Sequence, residues 1–219
     1  MKLQFLGAAK QVTGSMYLLE LEDGYKILID CGTDMEGSID FDVPYEPAPF
    51  FPFDPTLINL VVLTHAHIDH SGNIPMLYRE GYEGQVLCTP PTAELAALLL
   101  MDSASLHLRK LRAAQGESKK KHKQMDRLLR RGDLYLQKDV EDSLGNFVTL
   151  QFNRKFVIKP GLELTFIPAG HLLGAAGGIG RRRGELRADA PGGGGRSAAG
   201  PRGPGRRRRR RGDEREAGS

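Results

Sequence analysis

The chain has few cysteines and no apolar run long enough to cross a membrane. Two of its 219 residues are cysteines, Cys31 and Cys88, which lie far apart with no C-x-x-C spacing. That spacing argues against a disulfide framework and favours packed, reduced thiols in a reducing cytosol. No run approaches the roughly 20 apolar residues of a membrane helix, and the N-terminal apolar stretch, broken at Lys10, is too short for a signal peptide. We therefore expect a cytoplasmic protein without a membrane partner.

Residues 181–219 lack lysine, valine, isoleucine and every aromatic residue. Their thirteen arginines against five acids give a net charge of +8, which leaves −4 for residues 1–180 in a chain that totals +4. With Leu186 as its one large aliphatic residue, this segment cannot bury a core. We expect an incomplete folded domain over residues 1–180 and a low-complexity Arg/Gly/Pro tail over 181–219. The tail is either a frame-shift product or a disordered segment that binds nucleic acid through its charge.

Histidines are scarce but clustered. Three of the six lie in the hexapeptide His65-Ala66-His67-Ile68-Asp69-His70, close behind the apolar run Ile58–Leu63. Imidazole nitrogens and carboxylate oxygens are ligands that suit zinc or another first-row divalent ion. A merely polar surface loop would rarely concentrate three imidazoles in this way. The cluster therefore predicts a metal site.

The spacing within this cluster separates two sets of ligands. Alternate residues at the end of a strand point the same way, so His65 and His67 can reach one metal ion together. After the chain turns, Asp69 and His70 lie at a neighbouring position, where they can hold a second ion. Two ions about 3.5–4 Å apart can share a hydroxide, and zinc lowers the pKa of bound water to about 7. The pattern therefore indicates a hydrolase.

Strands and helices alternate along the first 180 residues, which predicts an α/β layered fold. Helices are expected near Ile74–Arg79 and, behind Thr89 as N-cap, from Pro90 through Leu108. Hairpin turns are expected at Asp23-Gly24 and Pro160-Gly161. The predicted strands are Lys2–Leu6, Met16–Leu21, Tyr25–Asp30, Ile58–Leu63, Gln85–Cys88, Val148–Phe152, Lys155–Ile158 and Leu162–Ile167.

Two further segments have alternative interpretations. Residues 109–131 carry ten Lys or Arg against two acids, which fits a solvated helical face or an electrostatic track for a phosphate backbone. The proline-rich loop 31–57 carries five aromatic residues, which fit packing over the core better than the lining of a substrate groove. We expect His107 and His122 to be surface residues.

Taken together, these motifs resemble the metallo-β-lactamase superfamily. H-x-H-x-D-H after a buried strand is similar to its signature. The run Ile27–Gly32 resembles its earlier strand, and the segment around His171, with Gly170 and Gly174, resembles the one that carries its next metal-binding histidine. Three features are similar to the β-CASP branch, the RNA-processing nucleases: the A-G-H-x-x-G-A form, the opening Leu3–Ala9 with Val12–Ser15, and Leu134-Tyr135 with Asp139-Val140.

The resemblance covers about residues 1–180 and implies the N-terminal part of an αββα sandwich that cleaves RNA phosphodiester bonds with zinc-activated water. It implies that His65, His67 and His171 hold the first metal ion, and that Asp69 and His70 hold the second. Asp69 would also be catalytic, because it is placed to handle the proton of the attacking water. Asp30 would orient the histidines without touching a metal ion. RNA is the expected partner.

The chain departs from the family pattern after Gly180. The pattern should continue through another strand to an aspartate that bridges both metal ions and, later, to a histidine for the second ion. Asp189 and Asp213 lie in Gly/Arg/Pro-rich sequence, so the bridging role is assigned to neither. The second site then keeps two protein ligands, which predicts one tight zinc ion at most and weak or absent nuclease activity.

Two other functions remain open at this point. One is a small-molecule hydrolase of the same superfamily that acts on a thioester or a lactone. The other is a zinc-binding fragment that is not an enzyme and whose arginine-rich tail binds nucleic acid.

Overall fold

A six-stranded mixed sheet forms the larger part of the fold. The computed structural model describes residues 1–9, 12–34, 49–115 and 135–182. The six strands follow one another across the sheet in chain order. The first three form antiparallel pairs, and the third strand also begins a parallel series that runs to the sixth. They are β1 (Lys2–Phe5), β2 (Tyr17–Glu20), β3 (Lys26–Ile29), β4 (Leu60–Val62), β5 (Gln85–Cys88) and β6 (Phe147–Thr149).

A second sheet of three antiparallel strands follows in the chain. It comprises β7 (Lys155–Lys159), β8 (Leu162–Pro168) and β9 (Ala176–Arg182). The expected turn at Pro160-Gly161 joins the first two, and Gly161 has the left-handed φ of 85° that glycine tolerates. β9 was not predicted, because its glycines and arginines have low strand propensity. It pairs with β8 along its whole length and ends two residues beyond the domain boundary expected at 180.

Within the described residues, four α-helices and one short 3₁₀-helix connect the strands. They are the 3₁₀-helix Pro55–Leu57, α1 (Ile68–Ser71), α2 (Ile74–Arg79), α3 (Pro90–Gln115) and α4 (Gln137–Leu144). α2 matches its predicted bounds, whereas α3 continues past Leu108. α4 was missed by the sequence analysis; Asp139 caps it by accepting a hydrogen bond from the Leu136 N–H at 2.7 Å.

Alternating side chains of the first sheet build two apolar cores. Leu28, Val61 and Val86 point to one face, where they pack with residues of α2, α3 and α4. Ile27, Leu60, Val62 and Leu87 point to the other face, where they pack on residues of the second sheet. A fully buried Val or Leu contributes roughly 1.5–3 kcal/mol relative to its exposed state. Burial on both faces explains why β3 to β5 appear as near-continuous apolar runs.

The resulting layers are helix, sheet and sheet, which agree with the N-terminal part of the predicted αββα sandwich. Among residues 1–9, 12–34, 49–115 and 135–182, no helix covers the outer face of the second sheet. None of the described helices is long and apolar enough to cross a membrane.

The structure also decides between several interpretations of single residues. Phe51 is buried and its ring lies 4.8 and 5.2 Å from those of Phe50 and Phe53, so these three aromatics pack on the core. His107, expected at the surface, is half-buried, and its Nδ1 lies 3.1 Å from the Tyr135 carbonyl oxygen. Cys31 and Cys88 are buried free thiols. Phe41, Tyr45, residues 116–131 with His122, and residues 183–219 lie outside the described residues.

Candidate metal centre

The carboxyl ends of three parallel strands meet at one edge of the first sheet. Asp30 follows β3, the segment of residues 64–70 follows β4, and Thr89 follows β5. Because parallel strands end on the same side, this edge gathers polar side chains that are up to 59 positions apart in the chain. The second sheet adds His171, which lies in the connection between β8 and β9.

Three imidazoles converge at this edge. One ring nitrogen from each of His65, His67 and His171 lies within 4.8 Å of the others, a spacing that one metal ion could bridge. The ring centroids are 4.9 Å apart for His65–His67, 4.9 Å for His65–His171 and 5.1 Å for His67–His171. In the part of the chain that the structure describes, this is the one group of three or more histidine, cysteine or acidic side chains with such spacing.

The hydrogen bonds of His65 determine which of its nitrogens is free. The Thr64 hydroxyl donates its single proton to Asp30 Oδ2 at 2.8 Å, because a carboxylate can only accept. The same hydroxyl oxygen lies 3.0 Å from His65 Nδ1, so Nδ1 must carry the hydrogen and donate. His65 Nε2 is then left with its lone pair, buried and without any hydrogen-bond partner.

A buried nitrogen with an unused lone pair is the donor that a divalent metal ion requires, so these residues fit the metal that the sequence implies. Burial, assisted by the neighbouring His70, His67 and His171, lowers the pKa of His65 to about 3. The imidazole is therefore neutral at physiological pH and able to bind a cation.

Asp30 fixes the start of the histidine segment. Its carboxylate accepts three hydrogen bonds, from the Thr64 N–H (2.7 Å), the Thr64 hydroxyl (2.8 Å) and His70 Nδ1 (2.7 Å). Its backbone has a left-handed φ of 58°, a conformation that Asp and Asn adopt more readily than most residues. The side chain is only 3% exposed. Asp30 therefore lies where the sequence analysis expected it, contacting His70 and, through Thr64, His65.

Asp69 and His70 lie beside the three-histidine group rather than within it. The His70 and His65 ring centroids are 3.9 Å apart, and Asp69 Oδ2 is 3.7 Å from His70 Nε2. Because His70 Nδ1 is engaged by Asp30, Nε2 is the nitrogen left for another partner. Burial acts to lower the pKa of His70, but the hydrogen bond and charge of Asp30, with the charge of Asp69, outweigh it and raise that pKa.

Sequence reasoning missed two residues that support the histidine segment from behind. Gly32 packs so tightly that an added Cβ would overlap the carbonyl group of Asp69. Ser15 is buried, donates its N–H to the Asp69 carbonyl at 2.8 Å, and has its hydroxyl 3.4 Å from His70 Nε2. Both contacts join residues tens of positions apart, so no local pattern predicts them. The glycine after the strand was visible in the sequence, but its neighbour was not.

His171 reaches the centre from a tight loop, here called the His171 loop (residues 169–175). The Ala169 N–H donates to the Ala175 carbonyl and the Ala175 N–H to the Leu172 carbonyl, both at 2.9 Å. Gly170 and Gly174 have left-handed φ values of 72° and 82°. Just after the loop, the Ala176 N–H donates to the Thr64 carbonyl at 2.9 Å, which connects the second sheet to the histidine segment.

Three imidazoles and a carboxylate at the edge of a layered α/β sandwich form the kind of centre that metal-dependent hydrolases use. The sequence profile of the Metallo-beta-lactamase superfamily matches residues 9–180, and the chain belongs to that superfamily. The superfamily predicted from the histidine motif is therefore confirmed.

Two curated relatives extend this assignment. The chain is 37% identical over 172 residues to the transcription termination factor FttA of Methanosarcina mazei, a match that covers 78% of this chain and 23% of that protein. It is 35% identical over 176 residues to the ribonuclease TTHA0252 of Thermus thermophilus, which covers 80% of this chain and 34% of the ribonuclease. These relatives agree with the predicted β-CASP branch, and the chain spans a quarter to a third of their length.

Among solved structures, a metallo-β-lactamase from Cronobacter sakazakii aligns with 81% of this chain and 51% of its own, at 20% identity and a TM-score of 0.45.

Proposed function

We propose that this chain is a metal-dependent hydrolase that cleaves RNA phosphodiester bonds. The observation that carries the proposal is the convergence of His65, His67 and His171, with the buried Nε2 of His65 left unpaired. The chemical class follows from the superfamily. RNA as the substrate is supported by a relative named as a ribonuclease and by relatives named as transcription termination factors.

In this proposal His65, His67 and His171 hold the metal ion, which we propose to be zinc because its preferred ligands include imidazole. When bound there, zinc would make a nucleophile available at neutral pH and stabilise charge on the phosphate. Asp30 keeps Nδ1 of His70 occupied and, through Thr64, keeps Nδ1 of His65 protonated, so that Nε2 faces the metal position.

Asp69 is the proposed general base. Its carboxylate lies beside His70 and is 23% exposed, so water and substrate can reach it while Ser15 holds its backbone carbonyl. A carboxylate in this position can accept the proton of the attacking water, a role that typically contributes 10²- to 10⁴-fold in rate. Asp69 and His70 are also the proposed ligands of a second, weaker metal ion.

We propose that one metal ion binds tightly. The three-histidine group offers three ligands and leaves one tetrahedral position open, as in catalytic zinc sites. Asp69 with His70 offers two, which is a weak site. Two buried free thiols, Cys31 and Cys88, support a reducing compartment, and we propose the cytoplasm.

The test is a zinc titration of the full chain by chelator competition, run alongside cleavage assays on labelled single-stranded RNA, a thioester and a lactone. We expect one tight zinc ion per chain and slow RNA cleavage that is lost with His67→Ala. The matched control is His107→Gln, which removes a histidine of α3 that lies outside the centre. It should keep both zinc affinity and cleavage.

Each result has a distinct meaning for the proposal. Two tight zinc ions per chain would refute the single-ion assignment. Thioester or lactone hydrolysis with RNA left intact would replace the proposed substrate. Zinc binding without any hydrolysis, together with RNA affinity that is unchanged by His67→Ala and lost on deleting residues 181–219, would identify a binding fragment rather than an enzyme.

A further inference from the structure

Two threonines at the start of α3 contact the His171 loop. Thr89 directly follows β5, and its carbonyl accepts the Ala93 N–H at 3.0 Å, which starts the helix. Thr92 lies one turn further on. Both side chains are fully buried. Their hydroxyl oxygens lie 2.7 and 3.0 Å from the carbonyl oxygen of Gly174, which is more than 80 positions away in the chain.

The Gly174 carbonyl receives a hydrogen bond whichever of the two hydroxyls donates to the other. The two hydroxyl oxygens are also 2.9 Å apart, so the three oxygens form a compact triangle. Each hydroxyl has one proton, and two hydroxyls cannot both donate to each other. At least one proton is therefore donated to the Gly174 carbonyl, which would otherwise be a buried acceptor without a partner.

Gly174 fits against the threonine pair without spare room. A Cβ at this position would lie 2.6 Å from the Thr92 nitrogen and 2.8 Å from both hydroxyl oxygens. The left-handed φ of 82° adds a second reason for glycine. The backbone of the His171 loop is thus in direct contact with the first turn of α3, whose Ala96 and Leu100 are fixed in the apolar core.

The contact at Gly174 also restrains His171, because a hydrogen bond within the loop connects the residues on either side of Gly174. The hydrogen bond from Ala175 to Leu172 spans the residues next to His171, and Leu172 packs against the same core as α3. On its other side the loop continues into Ala176, which is held by the Thr64 carbonyl. His171 itself is exposed, and its ring contacts those of His65 and His67.

We infer that Thr89 and Thr92 are positioning residues that hold His171 where its imidazole can complete the three-histidine metal site. The inference rests on the proposed role of His171 as a metal ligand. The hydroxyl groups of both threonines contact the Gly174 carbonyl. They act through the Gly174 carbonyl, so α3 and β5 set the geometry of a ligand that belongs to the second sheet.

The test uses the full chain with the substitutions Thr89→Val and Thr92→Val, singly and together, because valine keeps the shape and removes the hydroxyl. Zinc affinity is measured by chelator competition, and Co²⁺ is added separately to record its visible absorption. We expect the double variant to bind zinc on the order of 10- to 100-fold more weakly, as when partners that orient a metal ligand are removed. The Co²⁺ spectrum should change as coordination by His171 is lost.

Two controls separate positioning from general stability. Thr89→Ser and Thr92→Ser keep the hydroxyl and should restore zinc affinity to within about threefold of the unmodified chain. Ser143→Ala removes an equally buried hydroxyl, which donates to the Val140 carbonyl at 2.7 Å in α4, remote from the centre. It should lower the unfolding temperature without changing the zinc affinity or the Co²⁺ spectrum.

The variant His171→Ala distinguishes failure of this inference from failure of the proposed function. If His171→Ala leaves zinc affinity unchanged, both are wrong. If His171→Ala weakens zinc binding but the valine variants do not, the metal site stands and the role of the threonines is refuted. If the double variant fails to fold, each single variant, with one hydroxyl left, decides by the same comparison.

Discussion

The two loops that carry the metal-site histidines are built in opposite ways. The histidine segment continues directly from β4, and its ligands are two residues apart, so the strand itself aims them. The His171 loop supplies one ligand from more than 100 positions further on. The first is held mainly by a buried charge, the Asp30 carboxylate. The second is held by neutral hydroxyl groups and by backbone hydrogen bonds.

This difference predicts that substitutions in the two loops have different effects on stability and on metal affinity. Removal of the Asp30 carboxylate leaves the hydrogen-bond donors of Thr64 and His70 without an acceptor. This lowers the stability of the domain and also disturbs the positions of the histidines. Loss of a neutral contact to the His171 loop mainly frees an exposed ligand. The histidine segment should therefore limit folding of the domain, and the His171 loop should limit metal affinity. Four substitutions test this contrast, from the largest expected effect to the smallest.

Gly32→Ala should have the largest effect. The added Cβ would overlap the carbonyl group of Asp69 and lie 2.8 Å from the His70 nitrogen, and a backbone cannot rotate away as a side chain can. We expect a loss of at least about 4 kcal/mol in the free energy of unfolding, in the range of exceptional substitutions. Urea denaturation measures it. Gly177→Ala, where nothing lies within 4 Å, is the control and should stay within about 0.5 kcal/mol.

Asp30→Ala should have the next largest effect. It removes three hydrogen bonds to a buried carboxylate and leaves their donors unpaired, which costs about 2–4 kcal/mol. Denaturation and zinc titration should both show the loss. Asp30→Asn tolerates the same left-handed backbone and keeps the shape of the side chain. It should therefore lose only about half as much stability as Asp30→Ala. Equal loss in both variants would show that the charge, rather than the shape, holds the segment.

Gly174→Ala should separate stability from metal affinity. The Cβ would press on the first turn of α3, and the φ of 82° disfavours alanine, so we expect a loss of about 1–3 kcal/mol. Zinc affinity should fall more than in a variant that loses the same amount of stability through a substitution away from the His171 loop. Gly161→Ala has a similar φ of 85° with nothing within 4 Å and lies away from the centre. Its zinc affinity should be normal; a parallel loss there would contradict the contrast between the loops.

Asp23→Asn should have the smallest effect. Its carboxylate accepts a hydrogen bond from Lys159 at 2.7 Å and so connects the two sheets at the end of β3 opposite Asp30. This hydrogen bond, followed by one from the Tyr25 N–H, lowers the pKa of Asp23. Because the pKa of Asp23 is lower in the folded state, its ionised carboxylate stabilises the protein at pH values above the ordinary pKa. This stabilisation is lost as the pH falls through the pKa of the folded state.

The expected result is a slightly lower unfolding temperature at pH 7 and a difference from the unmodified chain that shrinks as the pH falls below the ordinary aspartate pKa of about 3.9. Lys159→Gln should reproduce it, and combining the two should add nothing further if they act as a pair. Zinc affinity at pH 7 should be unchanged. A larger effect at pH 3 than at pH 7 would show that the contact does not stabilise through the ionised carboxylate.

The parts of the molecule that the sequence predicts are those with local causes. β3, β4 and β5 are buried on both faces, so their composition identifies them, and the H-x-H-x-D-H spacing places His65 and His67 together. β9 lacks apolar alternation and forms because β8 offers it a complete register. α4 is mostly polar, with Val140 and Ser143 as its buried residues.

The contacts that complete the centre were not predictable from spacing. Thr89 was expected as a helix cap, which agrees with its position, but its hydroxyl contacts Gly174 across the sheet interface. Ser15 and Gly32 meet the histidine segment through chain folding alone. Their roles depend on distances between backbone atoms that no periodicity in the sequence records.

Cys31 has a consequence beyond its packing. Its N–H donates to the His70 carbonyl at 2.7 Å and its carbonyl accepts the Asn73 N–H at 2.8 Å, so the thiol lies beneath the histidine segment with no exposed surface. Burial, and then the charge of Asp30, raise the pKa of the Cys31 thiol far above its ordinary value. We expect the Cys31 thiolate to form only when the histidine segment moves away from it. The rate of alkylation at this sulfur should therefore measure how often the metal centre opens.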